Sequence, residues 1–259
     1  MEEQQQEIIS VVNLNPEDYA DPAEALKLCQ QGNLELKSIV QHYDQFPAAV
    51  AMVPMNNVKG ACQIIEEVAE TSELAGIQLF TQALGKPLTS EEFTSLFELM
   101  NEIQKPIWLH PVFDPLKPNN NVTFSWEYEL TIAMNQLVEA GYLTHYPNLK
   151  IIVHHAGAMI PFFSERILYT EGEKNYQQFK KFYVDTALLG NPKALELTVD
   201  FFGLDHVLFG TDSPLGIPLV GPTKEIKTAL KQTNLSPSNL NKIFYKNWQQ
   251  MPKGVRNEQ

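Results

Sequence analysis

Apolar residues along the chain fall into two alternating patterns. Short runs rich in β-branched and aromatic residues occur at Ile8–Leu14, Ala48–Val53, Gly76–Phe80, Ile107–His110, Lys150–His154, Phe182–Asp185 and His206–Gly210. Each is near-continuous rather than strictly alternating, as expected of strands covered on both faces. Between them the spacing becomes helical. Ala61, Ile64, Ile65 and Val68 recur at i, i+3, i+4 and i+7, and so do Phe93, Leu96, Phe97 and Met100. Thr89 or Ser90 stands at the cap position of the second helix, ahead of Glu91 and Glu92, whose charges suit a helix N-terminus. Roughly 26 to 45 residues separate the ends of successive runs, room for one crossover helix with its loops. The alternation predicts a single parallel α/β domain over residues 1–259, a TIM-type (β/α)8 barrel ahead of an open sheet. Seven strands are recognisable where a closed barrel has eight. The first run begins at Ile8, so the strand expected to be lacking is strand 1.

Composition narrows the partners. Nineteen Lys and Arg against 31 Asp and Glu leave a net charge of −12, a field that repels nucleic acid and anionic lipid. A small-molecule substrate is the expected partner, with a homo-oligomer open. No apolar run approaches the roughly 18 residues of a spanning helix. The acidic, Gln-rich start lacks the basic and apolar regions of a signal peptide, so a cytoplasmic location is expected. Cys29 and Cys62 both lie in helical patterns and do not suggest a disulfide framework.

In a barrel, residues at the C-terminal ends of strands converge on one mouth. His110, the pair His154-His155, Asp185 and Asp212 all occupy such ends. One histidine after an apolar strand is more often a hydrogen-bonded core residue; several at matching ends of different strands favour a site. Imidazole and carboxylate suit zinc and similar divalent ions.

The segments Gly76–Phe80, Lys105–Pro111, Trp126–Glu129, Tyr146–Gly157, Ile160–Phe162 with Arg166, Tyr183–Ala187 and Asp205–Pro214 follow one another in a family's order. On them the chain resembles the amidohydrolase-related metal-dependent TIM barrels, in the branch of aminocarboxymuconate semialdehyde decarboxylase and γ-resorcylate decarboxylase. The resemblance implies a divalent metal, zinc first, with His110 as the strand-five ligand. Asp212 matches the strand-eight ligand, which can also act on the metal-bound water. His155 matches the strand-six His that ligates a second metal or hydrogen-bonds that water. His154 then points to the opposite face as a packed histidine. The implied chemistry is non-oxidative decarboxylation, or hydrolysis, of a small unsaturated or aromatic acid, with Asp212 and His155 as catalytic residues. The family's His-x-His pair on strand 1 has no counterpart here. Absent strand and absent pair read as one deletion. A start site placed too late is the first explanation, and a degenerate barrel acting as a scaffold or partner subunit the second.

Weaker candidates complete the reading. Asp185 either enters the mouth or caps the next helix. Glu129 is more ordinarily a helix-surface carboxylate than a substrate contact. Phe80, Trp108, Phe113 and Trp126 can wall a pocket for a flat acid, although strand-end aromatics more often simply pack. His42, His145 and His206 read as structural or surface residues. Gly85-Lys86-Pro87 lacks the glycine spacing of a phosphate loop, and no Ser or Cys sits in a nucleophile elbow.

Overall fold

The computed structural model describes residues 5–112, 121–217 and 221–251. They form two compact units, one of residues 5–112 and 145–150, the other of residues 121–144, 151–217 and 221–251.

The first unit is built from β1 (Ile8–Ile9), α1 (Pro22–His42), β2 (Ala48–Ala51), α2 (Val58–Glu70), β3 (Leu74–Phe80), a small antiparallel hairpin β4 (Gln82–Ala83) and β5 (Lys86–Pro87), α3 (Thr94–Ile103) and β6 (Ile107–His110). Strands β1, β2, β3 and β6 pair in that order, all parallel. All four β2 residues are buried, which explains its unbroken apolar run. Asp21 caps α1 by accepting from the Ala23 and Glu24 N–H groups, and Pro22 occupies the first helical position, where its missing N–H costs nothing. The stripe Ala61, Ile64, Ile65 and Val68 is buried, as its spacing predicts. Beyond the end of α2, the Lys105 ammonium donates to the carbonyls of Val68, Thr71 and Leu74 at 2.5, 2.6 and 2.8 Å. These bonds satisfy carbonyls at the helix end and the start of β3. Gly76 permits the close approach of β3 to the neighbouring chain: a Cβ there would lie 2.0 Å from the Pro106 carbonyl oxygen. Ser90 stands at the expected position, but its side chain makes no cap bond; a 3-10 turn over Glu91–Phe93 leads into α3 instead.

The second unit contains α4 (Ser125–Glu139), all but the last residue of the one-turn α5 (Tyr142–His145), then β7 (Ile151–Val153), α6 (Ser164–Phe179), β8 (Tyr183–Val184), α7 (Pro192–Phe202), α8 (Thr223–Lys231), α9 (Pro237–Asn241) and α10 (Asn247–Gln250). β7 and β8 are parallel, with Ile152 opposite Tyr183 and Val153 opposite Val184.

Several strands are shorter than their apolar runs. Ile8–Leu14 pairs only at Ile8 and Ile9, because Asn13 takes a left-handed φ of 58° and Pro16 opens a 3-10 turn. His206–Gly210 contributes one parallel bridge, Val207 to Val184. The Leu208 N–H still donates to Val184 O at 2.8 Å, but the next amide, Phe209, turns to Ile243 O at 2.9 Å and leaves the ladder. An apolar run shows that a segment is buried; it does not show where its amides bond.

Candidate active site

β7 ends at Val153, and the chain then turns through left-handed backbone at His155, Ala156, Gly157 and Ala158, with φ of 55°, 56°, 74° and 54°. Such angles are costly for non-glycine residues and persist where surrounding contacts over-determine them. Gly157 is required by space as well, since a Cβ would meet the Phe202 ring at 2.5 Å. Both histidines lie beyond the strand, so the turn rather than the pleat sets their directions. His155 is buried, its Nδ1 lies 2.9 Å from Glu127 Oε1 on α4, and its ring stacks on Trp126 at 6.4 Å between centroids. A carboxylate acceptor on Nδ1 makes that nitrogen the donor and leaves the lone pair on Nε2, the tautomer a metal-ligating or proton-accepting imidazole needs.

His154 turns to Asp185, with Nδ1 2.8 Å from Oδ2. The other Asp185 oxygen accepts from the Ala187 N–H at 3.0 Å and the Ala156 N–H at 3.3 Å. Asp185 thus fastens the histidine-bearing turn to the end of β8. Thr186 holds the next segment, its Oγ1 donating to Gly210 O at 2.9 Å and accepting from Gly210 N–H at 3.2 Å. A Cβ on Gly210 would sit 2.7 Å from Asp185 Cβ, so only glycine lets the chain pass here. Two residues later comes Asp212, half-buried and left-handed at φ 58°, with a carboxylate oxygen within 4.8 Å of a His155 ring nitrogen.

Charge follows from this packing. Burial pulls the His155 imidazole down, but its hydrogen bond to Glu127 and the charges of Glu127, Asp185 and Asp212 outweigh burial and hold it above the ordinary range. Burial pushes the Asp212 carboxyl up, and neighbouring Asp185 and Glu127 add to the rise against the pull of His155 and His154. For Asp185, burial is overcome by the His154 hydrogen bond, the charges of both histidines and the Ala187 amide, and its carboxyl titrates below the usual range. The neighbourhood therefore shifts two carboxyls in opposite directions, Asp185 down and Asp212 up.

In the first unit, His110 closes β6 opposite Phe80 in register, buried, with Nδ1 2.7 Å from Pro111 O and its ring edge-on to Phe80 at 6.0 Å. Of the pocket-wall candidates, Phe80, Trp108 and Trp126 are buried, and Phe113 lies outside the described residues.

The structure brings His155 and Asp212 together within the second unit. Asp185 does not cap the next helix, since Asn191 caps α7. His154 is a hydrogen-bonded, part-buried residue. The residue missed by sequence reasoning is Glu127. Glu129 is half-buried on the same helix; the signal for Glu127 is its adjacency to Trp126, which stacks on the same imidazole. Imidazole and carboxylate donors side by side in a buried polar setting fit a divalent cation, and the carboxylate on Nδ1 of His155 is the usual support of a ligating histidine.

A family model described as amidohydrolase matches residues 16–247. The chain is 27% identical over 226 residues to the 6-methylsalicylic acid decarboxylase of Penicillium expansum, covering 80% of this chain and 69% of that protein. It is 23% identical over 252 residues to the 2-amino-3-carboxymuconate-6-semialdehyde decarboxylase of Dictyostelium discoideum, covering 90% and 69%. The chain spans 65 to 69% of the length of the first curated relatives it matches. Among solved structures, the dihydroxybenzoic acid decarboxylase of Polaromonas sp. JS666, which has bound manganese, superposes with a TM-score of 0.84 at 20% identity over 95% of this chain and 81% of that one. The fold class expected from the strand–helix alternation, a parallel α/β barrel of the TIM type, is the one these comparisons bear out.

Proposed function

The chain belongs to the amidohydrolase family, and from that premise we propose that it is a carboxy-lyase, a metal-dependent decarboxylase of small aromatic or unsaturated carboxylic acids. His155 and Asp212, which the second unit brings together, are residues that would hold the ion, and His110 is the further ligand that the family resemblance implies. Zinc is the first candidate, and manganese, present in the Polaromonas neighbour, the second; imidazole and carboxylate donors accept both. A divalent ion, when bound, supplies the positive charge that fixes and polarises an anionic acid. With a chain charge of −12, attraction of such an anion has to be local.

The chain's own residues do the rest. In decarboxylation the bond between the carboxylate and its carbon breaks, carbon dioxide leaves, and the electron pair left on the carbon takes up a proton. Asp212 is the first candidate to deliver it and His155 the second. Glu127 keeps the His155 ring turned and in one tautomer. The observation that carries this reading is the Glu127–His155 pair beside Asp212, a supported imidazole with a carboxylate oxygen within 4.8 Å of its ring.

Carbon dioxide release from 6-methylsalicylate and 2,6-dihydroxybenzoate, with zinc or manganese supplied, tests the proposal against lactone and amide hydrolysis run in parallel. Release that stops on chelation and returns with metal is expected. Hydrolysis without decarboxylation, or turnover indifferent to chelation, overturns it.

A further inference from the structure

The Asp185 side chain, 5% exposed, lies between the two backbone segments that carry His155 and Asp212. On one side is the turn after β7. Oδ1 accepts from the Ala156 N–H at 3.3 Å, the amide directly after His155. Oδ2 lies 2.8 Å from Nδ1 of His154, the residue directly before it. One carboxyl thus grips His155 on both flanks. On the other side is the segment leading to Asp212. A Cβ on Gly210 would meet Asp185 Cβ, Cγ and Oδ2 at 2.7, 3.1 and 3.2 Å, so the Gly210 backbone is pressed along the whole side chain. The Ala187 N–H, donating to Oδ1 at 3.0 Å, fixes the carboxyl from its own stretch of chain.

Neither segment is placed by a strand ladder. His155, Ala156 and Ala158 hold φ of 55°, 56° and 54°, and Asp212 holds 58° two residues beyond Gly210. Angles of this kind persist where surrounding contacts over-determine them. Thr186 secures Gly210 through its hydroxyl, but the side chain that touches both segments is that of Asp185. With Gly210 against Cβ and Cγ and Ala156 held from Oδ1, the length of this side chain fixes how far apart the two segments lie.

We propose that Asp185 is a positioning residue, a spacer whose length and acceptor geometry, rather than its charge, set the separation of His155 from Asp212. Its effect on turnover rests on the decarboxylase reading above, whereas the spacing does not.

Two variants of the full chain divide length from charge. Asp185→Asn keeps the length and an acceptor for both amides, and its Nδ2 can donate to His154 Nδ1 once that ring changes tautomer. Asp185→Glu keeps the charge and inserts one methylene. Asp185→Asn should hold kcat within about threefold of the unchanged chain, with the nitrogen-15 signal of His154 Nδ1 moving from donor to acceptor type. Asp185→Glu should lower kcat at least about tenfold, as disturbed support of a ligating histidine does, with KM changed less. Asn191→Ala, which weakens the same unit at the α7 cap, should leave kcat within about twofold, so lost stability by itself does not imitate the effect. Crystal structures of both Asp185 variants without metal read the spacing directly. Asp185→Glu should carry the Asp212 carboxylate beyond 4.8 Å from the His155 ring nitrogen, and Asp185→Asn should leave it within that distance. A Glu variant that keeps the spacing, or an Asn variant that loses it, overturns the proposal. So does an Asn variant that keeps the spacing and loses turnover, since charge would then be the acting feature. Should Asp185→Glu not fold, Asp185→Asn decides by itself. If the unchanged chain releases no carbon dioxide, the decarboxylase reading fails, and the two structures still decide whether Asp185 sets the spacing.

Discussion

In the first unit the paired strands run from two to seven residues, and Phe80 faces His110 across a regular register. In the second they shrink to three and two residues, and His155 and Asp212 both stand on left-handed backbone beyond any strand. One unit positions its polar groups by ladder geometry and the other by side-chain ties: Asp185 to Ala156 and His154, Thr186 to Gly210, Glu127 to His155. Ladder positions are stable and tolerant of change at the surface. Tied turns hold strained angles that aim reactive groups, and each tie is a single point of failure. Each unit also holds one carboxyl raised above its usual range, buried Glu17 in the first and half-buried Asp212 in the second.

The largest effect should separate those two carboxyls. Asp212→Asn removes the proposed proton donor and a proposed ligand while preserving shape, and should lower kcat by about a thousandfold or more, with KM far less affected. Steady-state carbon dioxide release measures both; a change confined to KM would reduce Asp212 to a binding group. Glu17→Gln should act on stability instead. The Glu17 carboxyl titrates at about 7 in the fold against 4.5 ordinarily. Between those values the folded chain binds more protons than the unfolded one, so stability falls as pH rises through the window. The shift corresponds to about 3 kcal/mol, so urea melts at about pH 8 should show Glu17→Gln gaining stability of that order. Below the ordinary value the gain should vanish. A pH-independent difference would mean that Glu17 does not titrate in this range.

The same contrast explains what the sequence revealed. Apolar runs and helical stripes are properties of burial, and they placed β2, β3, β6, α2 and α3 within a few residues. His110 was legible because it ends a strand whose ladder is regular. The second unit was legible in composition but not in geometry. His206–Gly210 is apolar because it is covered, yet its amides divide between Val184 and Ile243, and no periodicity encodes that choice. The separation of His154 from His155 comes from a turn with positive φ at His155, Ala156 and Ala158, which no periodicity encodes. Glu127 and Glu129 are two positions apart on one helix, and only the packing of α4 decides which meets the imidazole.

A smaller effect tests whether the ties matter singly. Glu127→Gln keeps the size of the side chain but removes the charged acceptor on His155 Nδ1. Loss of such support typically costs 10- to 100-fold in metal affinity or activity. In the metal-free chain the His155 imidazole should also titrate lower, because the Glu127 hydrogen bond and charge are the leading influences that raise it. Proton-detected titration of the His155 ring reads this directly. A purely structural Glu127 would weaken the fold and leave that titration in place.

The smallest effect concerns helices, where the two units should behave alike. Asp21 caps α1 through the Ala23 and Glu24 amides, and Asn191 caps α7 through those of Lys193 and Ala194. Both helices begin with proline, so the cap side chain is the main partner for the free amides of the first turn. Replacing either cap by alanine should cost about 1 kcal/mol, read as a shift in the urea midpoint with unchanged slope. Equal costs would confine the difference between the units to their strands and turns. A loss for Asp21→Ala with none for Asn191→Ala would show instead that α7 is held by the buried side chains of Leu195, Val199 and Phe202 rather than by its cap, extending the contrast from the ladder to the helices.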